Sequence, residues 1–195
     1  MLIKTKKMKL KKKFIIILTI FAIIFLGRIM PHPYNFTPLI GITLLSGFLF
    51  KNRLLSIFVP LISFWLSDIF INNYIYAGYY GGFTIFQSGM FWTYGSLIAI
   101  SFLGSNFLSN SKISKVCLAS LSASTIFFII SNFGVWLGGA MYAKNLAGLI
   151  QCYTLAIPFY GSSLIGDLIY SSIFFSAYNF ATSRNIFIVG AKQQI

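Results

Sequence analysis

Residues 54–71 read LLSIFVPLISFWLSDIFI, eighteen positions with one ionisable side chain, Asp68. A lipid core gives backbone N–H and C=O groups no partner, so a chain that crosses it does so as helices or as a closed barrel. The run has no two-residue alternation of the barrel kind, and its length fits a helix crossing, which needs roughly 17–25 residues. Similar runs at 14–29, 38–50, 90–107, 115–136 and 162–181 predict five further helices. The second is short: at about 1.5 Å per residue it covers only part of a ~30 Å hydrocarbon core. The segment 147–157 is apolar but too brief to cross, so it reads as re-entrant or interfacial.

Composition agrees. Of 195 residues, 57% are hydrophobic and 9% charged, too little polar surface to cover a soluble domain of this size. The net charge of +13 invites a nucleic-acid reading, but seven of the fifteen basic residues lie between Lys4 and Lys13 and most others flank apolar runs. That distribution is the one the positive-inside rule produces, and it argues for a membrane and against nucleic acid. Six crossings put the basic tail, Lys51, Arg53, Lys112, Lys115, Arg184 and Lys192 inside, leaving Arg28 and Lys144 outside. The expected fold class is therefore an all-α polytopic membrane bundle of about six transmembrane helices, N-in and C-in, with a re-entrant or interfacial segment before the last helix. Residues 1–13 form a basic cytoplasmic tail, 14–183 a single transmembrane domain and 184–195 a second tail. Cys117 and Cys152 match no metal spacing and read as free thiols. The start resembles a secretory signal without a cleavage site and reads as an uncleaved first helix.

The chain has two acidic residues, Asp68 and Asp167, both inside predicted spans. A charge at a helix centre costs about 2.5–3.5 kcal/mol on insertion scales, so such groups turn inward and take a partner. Counted from the outer helix ends, Arg28, Asp68 and Asp167 share one layer. His32 and Asn35 follow on a loop that Pro31, Pro33 and Pro38 force to fold back. Asn132 and Trp136, with Tyr153 on the next segment, complete the expected ligand-binding set. One arginine between two carboxylates suits a ligand with mixed donors and acceptors better than a simple anion. A purely structural ion network is the competing reading. No hydrolase elbow, HExxH or phosphate loop is present, so no enzyme activity, metal or cofactor is expected. Nor does a chain of ionisable groups continue inward as a proton path.

RIMPHPYNFTPL at 28–39, SD at 67–68, SNFGVWL at 131–137, AGLIQCYTLAIPF at 147–159 and GD at 166–167 resemble an uncharacterised bacterial membrane family of transport proteins. That family is similar in layout to the substrate-binding S components of energy-coupling-factor vitamin transporters. The resemblance implies inner-membrane location, capture of a small polar or vitamin-like solute at an outward-facing site, and uptake energised by a partner ATPase and coupling module. Small residues in the Ala-x-x-x-Ala spacing that such components use for docking are missing from the first helix, where Thr19, Ala22 and Gly27 stand instead. Small residues gather in the second helix, at Gly41, Ser46 and Gly47. The alternative is a non-transporting membrane protein with a structural ion network and partner-binding outer loops.

Overall fold

The computed structural model describes residues 10–87 and 89–184. They form α1 (Leu10–Ile29), α2 (Leu39–Leu49), α3 (Arg53–Phe70), a short α4 (Ala77–Tyr80), α5 (Met90–Phe107), α6 (Ile113–Gly138) and α7 (Leu146–Ser183). One π-helical turn, Ile71–Ile75, carries α3 onward, closed by Tyr76 N–H on the Ile71 carbonyl at 2.9 Å. Among the described residues there are no strands, and the fold they form is all-helical. Two stretches are long and apolar enough to cross a bilayer: Arg53–Ile75 and Ile113–Gly138, with mean hydropathies of 2.1 and 1.9.

α1 begins at Leu10, so Lys12 and Lys13 lie in its first turn. One sequence expectation changes. The segment 147–157 is not a separate re-entrant or interfacial piece, because α7 runs unbroken through Pro158 for 38 residues. Proline removes one backbone bond, and neighbouring helices in an apolar setting tolerate that loss.

Successive long helices alternate in direction. Trp92 at the start of α5 lies against Gly134 near the end of α6, and Ser111 before α6 is bonded to Asn179 near the end of α7. One end of the bundle thus carries the long connections, and the other carries Lys51, Arg53, Lys112, Lys115 and Arg184.

α2 is the hub, packing on α1, α3, α5, α6 and α7. All its residues but Phe48 are buried, as expected for a helix apolar around its whole circumference. Glycine sets its spacing. A Cβ on Gly104 of α5 would strike the Leu44 backbone, and one on Gly47 would strike Ser101, so these two helices cross at backbone contact. Pro60 supplies a second device. Without an N–H it leaves the Ser56 carbonyl free of its helical bond, and that oxygen accepts from Ser46 Oγ at 3.1 Å and Ser101 Oγ at 2.7 Å. One missing hydrogen bond in α3 thereby ties three helices together.

Candidate functional site

Each buried carboxylate has a different setting. Asp68, 1% exposed near the end of α3, takes Arg28 Nη2 on Oδ1 at 2.5 Å. Arg28 Nη1 donates to Ser67 Oγ at 2.6 Å and to the Phe64 carbonyl at 3.3 Å. Its guanidinium lies 4.1 Å from the Phe64 ring centroid, so charge, hydrogen bonds and ring face all hold α1 to α3. Asp68 Oδ2, Trp65 Nε1 and Asn72 Nδ2 have no protein partner, and their i, i+3, i+7 spacing puts them on one face of the helix.

Asp167, also 1% exposed, has no Lys or Arg within ion-pair distance among the described residues. Its Oδ2 accepts from Ser124 Oγ of α6 at 2.6 Å and from Ser163 Oγ, one turn earlier in α7, at 3.3 Å. The arrangement of one arginine between two carboxylates therefore does not form. α2 stands between α1/α3 and α6/α7, and α3 has no substantial packing against α7. The shared level does hold: Gly27 beside Arg28 abuts Pro38, and Gly166 beside Asp167 abuts Phe36, so the acids flank the start of α2.

Because α2 stops at Leu39, the connection 30–38 fills the space above it. A β-turn, Phe36 N–H to Pro33 carbonyl at 3.1 Å, reverses the chain there. Its third residue, Asn35, has φ 59°, which asparagine accepts more readily than most side chains. Ser162 Oγ fastens this turn to α7 through the Tyr34 carbonyl at 2.7 Å.

Beside it, between the outer parts of α6 and α7, lies a pocket of about 190 Å³. Asn35, Ser124, Ser131, Asn132, Tyr160 and Ser163 supply its polar lining, and Phe127, Phe128, Ala156 and Phe159 the apolar one. Ser124 and Ser163, the two hydroxyls that hold Asp167, both face it, so the carboxylate lies directly behind the pocket wall. Such a cavity is small beside the ~300–1,000 Å³ typical of drug-sized ligands, yet it has the mix of apolar wall and convergent polar groups that binding sites share.

Of the residues expected from sequence, Asn35 and Asn132 line this pocket and Asp167 backs it. Arg28 and Asp68 form the separate clamp. His32 is exposed, its Nδ1 2.8 Å from the Pro33 carbonyl. Trp136 Nε1 donates to the Ala143 carbonyl at 2.9 Å and, with Lys144 Nζ on the Trp136 and Gly139 carbonyls, closes the turn after α6. Tyr153 OH bonds the Ile129 carbonyl at 2.6 Å, on the helix surface. Ser124, Ser131, Ser163, Tyr160 and the phenylalanines were not anticipated. Their signal is a repeat of polar residues along one face: Ser124 and Ser131 at i, i+7 on α6, and Tyr160, Ser163 and Asp167 at i, i+3, i+7 on α7.

Fold and site define an all-helical protein with two helices suited to crossing a membrane and a half-polar pocket between α6 and α7. The chain belongs to a family of unknown function, DUF6580, whose profile matches residues 8–190. No curated protein and no solved structure matches it.

Proposed function

We propose that this is a multi-pass protein of the bacterial inner membrane, crossing six times with both ends inside, which captures a small polar or vitamin-like solute from outside for uptake. The membrane reading is supported by an inside-out distribution of side chains. Along α7, Ile165, Ile169 and Ile173 are 59%, 44% and 53% exposed, while Ser171 and Asp167 are buried. Ser46, Ser63, Ser67, Ser96, Ser101, Ser120 and Ser124 are likewise buried, while Leu54, Ile62, Leu118, Ile129 and Leu155 face out. Water would reverse that preference; lipid accepts it, with small polar residues between helices. The basic end then faces the cytoplasm. At about 1.5 Å per residue α7 is roughly 57 Å long, well beyond a ~30 Å core, so its first turns rise past the core beside the end of α6, and its stretch from Ala156 to Ser163 walls the pocket toward that outer side.

The observation that carries the functional reading is that pocket: six polar side chains converging on a cavity in an otherwise apolar bundle, open between α6 and α7. Energy for uptake falls to a partner ATPase and coupling module, as in the S-component layout. Gly41 and Gly47, the small residues of α2, are spent on packing against α7 and α5, so such a module docks elsewhere. The structural-network reading applies to one part of the molecule, since Arg28–Asp68 is enclosed by Phe64 and Ser67 and lies outside the pocket lining. That pair serves as a clamp between α1 and α3.

Native mass spectrometry of the purified chain tests the proposal. Wild type retains a small molecule and Ala156→Phe, which fills the cavity, releases it with little change in melting temperature. Equal occupancy of both, or none in wild type under solute supplementation, contradicts it.

A further inference from the structure

The pocket's hydroxyls are one-sided in their hydrogen bonding. Ser131 Oγ spends its proton on the Phe127 carbonyl at 2.6 Å. Ser124 Oγ has two protein acceptors, Asp167 Oδ2 and the Ser120 carbonyl at 3.0 Å, for a single proton. Ser163 Oγ donates to Asp167. Thr125 Oγ1 donates to the Leu121 carbonyl at 2.8 Å, so the 2.8 Å contact between Thr125 and Tyr160 is filled by the tyrosine's proton. Asn132 Nδ2 donates one of its two protons to the Phe128 carbonyl at 2.8 Å, so the two carboxamides, Asn35 and Asn132, offer the cavity both oxygens and N–H groups. Every hydroxyl in the lining has therefore committed its proton to the protein and turns lone pairs toward the cavity.

The remaining wall is aromatic. Phe127, Phe128, Phe159 and Tyr160 contribute rings, with Phe128 and Tyr160 stacked at 4.4 Å, and ring faces are negative. Among the described residues no Lys or Arg lines the cavity, and the carboxylate behind two of the hydroxyls has no cation beside it, in surroundings where a buried charge is normally paired. Acceptor oxygens, ring faces and an uncompensated acid all select the same guest.

We propose that the solute is a small protonated amine, its charge balanced by Asp167 through Ser124 and Ser163 and its N–H groups bonded to the acceptor oxygens of the pocket. This rests on the pocket being a solute site. An anion meets no cation there, a quaternary ammonium brings no N–H for the hydroxyl lone pairs, and a neutral ether brings neither an N–H nor a charge for Asp167.

Equilibrium binding to the full chain in lipid nanodiscs, with probes of one size class, tests this: piperidinium, N,N-dimethylpiperidinium, tetrahydropyran and cyclopentanecarboxylate. Piperidinium is expected to bind best, to weaken on the order of 100-fold in Asp167→Asn, and to be lost in Ala156→Phe. Ser163→Ala, which keeps the acid, serves as a milder second variant and weakens it about tenfold. Equal or tighter binding of any other probe, or an unchanged piperidinium affinity in folded Asp167→Asn, overturns the amine assignment. Where another probe binds wild type as tightly or more tightly and is lost in Ala156→Phe, the amine idea falls and the solute site stands. Where no probe binds and no small molecule co-purifies, both fall.

Discussion

Arg28 and Asp68 show how a single pair is read by magnitude. Removing one partner of an enclosed pair leaves a bare charge and typically costs about 3–5 kcal/mol, whereas replacing both with apolar groups is often neutral. Arg28→Met is therefore expected to lower stability by that amount in thermal unfolding, and Arg28→Met with Asp68→Leu to recover most of it. A double mutant as damaged as the single would mean that the pair does more than clamp α1 to α3. Asn35 gives a backbone counterpart: with φ 59°, Asn35→Gly is expected to leave stability unchanged, and Asn35→Val to lose about 1–2 kcal/mol by the same measurement. Both acids were visible in the sequence as ionisable groups inside apolar runs, and so was their common level. How Arg28 divides between them was not, nor that serines hold Asp167. Depth along a helix follows from counting residues, but rotation about the helix axis does not, and rotation gives Arg28 to Asp68 alone. The lining serines were hidden for another reason: in apolar helices serine commonly bonds its own i−4 carbonyl, as Ser63 and Ser131 do, so its presence alone marks nothing.

Helices pack here through missing atoms as much as through present ones. Gly104→Ala puts a methyl into the Leu44 backbone and is expected to cost about 1–3 kcal/mol. Gly161→Ala on α7 meets nothing within 4 Å and is expected to stabilise by up to about 1 kcal/mol, since alanine is the better helix former. Chemical denaturation of the two variants side by side checks the contrast, and equal effects would refute the close α2–α5 crossing. Helix positions were largely legible from apolar runs; α5 spans the residues expected of it. α7 differs from expectation because 147–157, apolar but too brief to cross, reads as a piece of its own, whereas the helix continues through Pro158. Proline read from sequence gives only the lost N–H, whereas the outcome depends on what surrounds it. In α3 the loss at Pro60 is made good by serines from two neighbouring helices, a compensation that no one-dimensional reading displays.

The molecule as a whole has an apolar exterior, a serine-rich interior and a half-polar pocket between α6 and α7. Alkaline phosphatase inserted at Gly82 is expected to be active and at Lys112 inactive, because the positive-inside rule puts the basic connections in the cytoplasm. The most direct test of an outward-facing pocket is thiol labelling in intact cells. In a chain with Cys117 and Cys152 changed to alanine, Ser131→Cys is expected to react with a membrane-impermeant maleimide added outside and to be protected by bound solute, while Ser171→Cys stays unlabelled. Labelling of Ser131→Cys only after the membrane is opened, or equal labelling at both positions, would contradict the account.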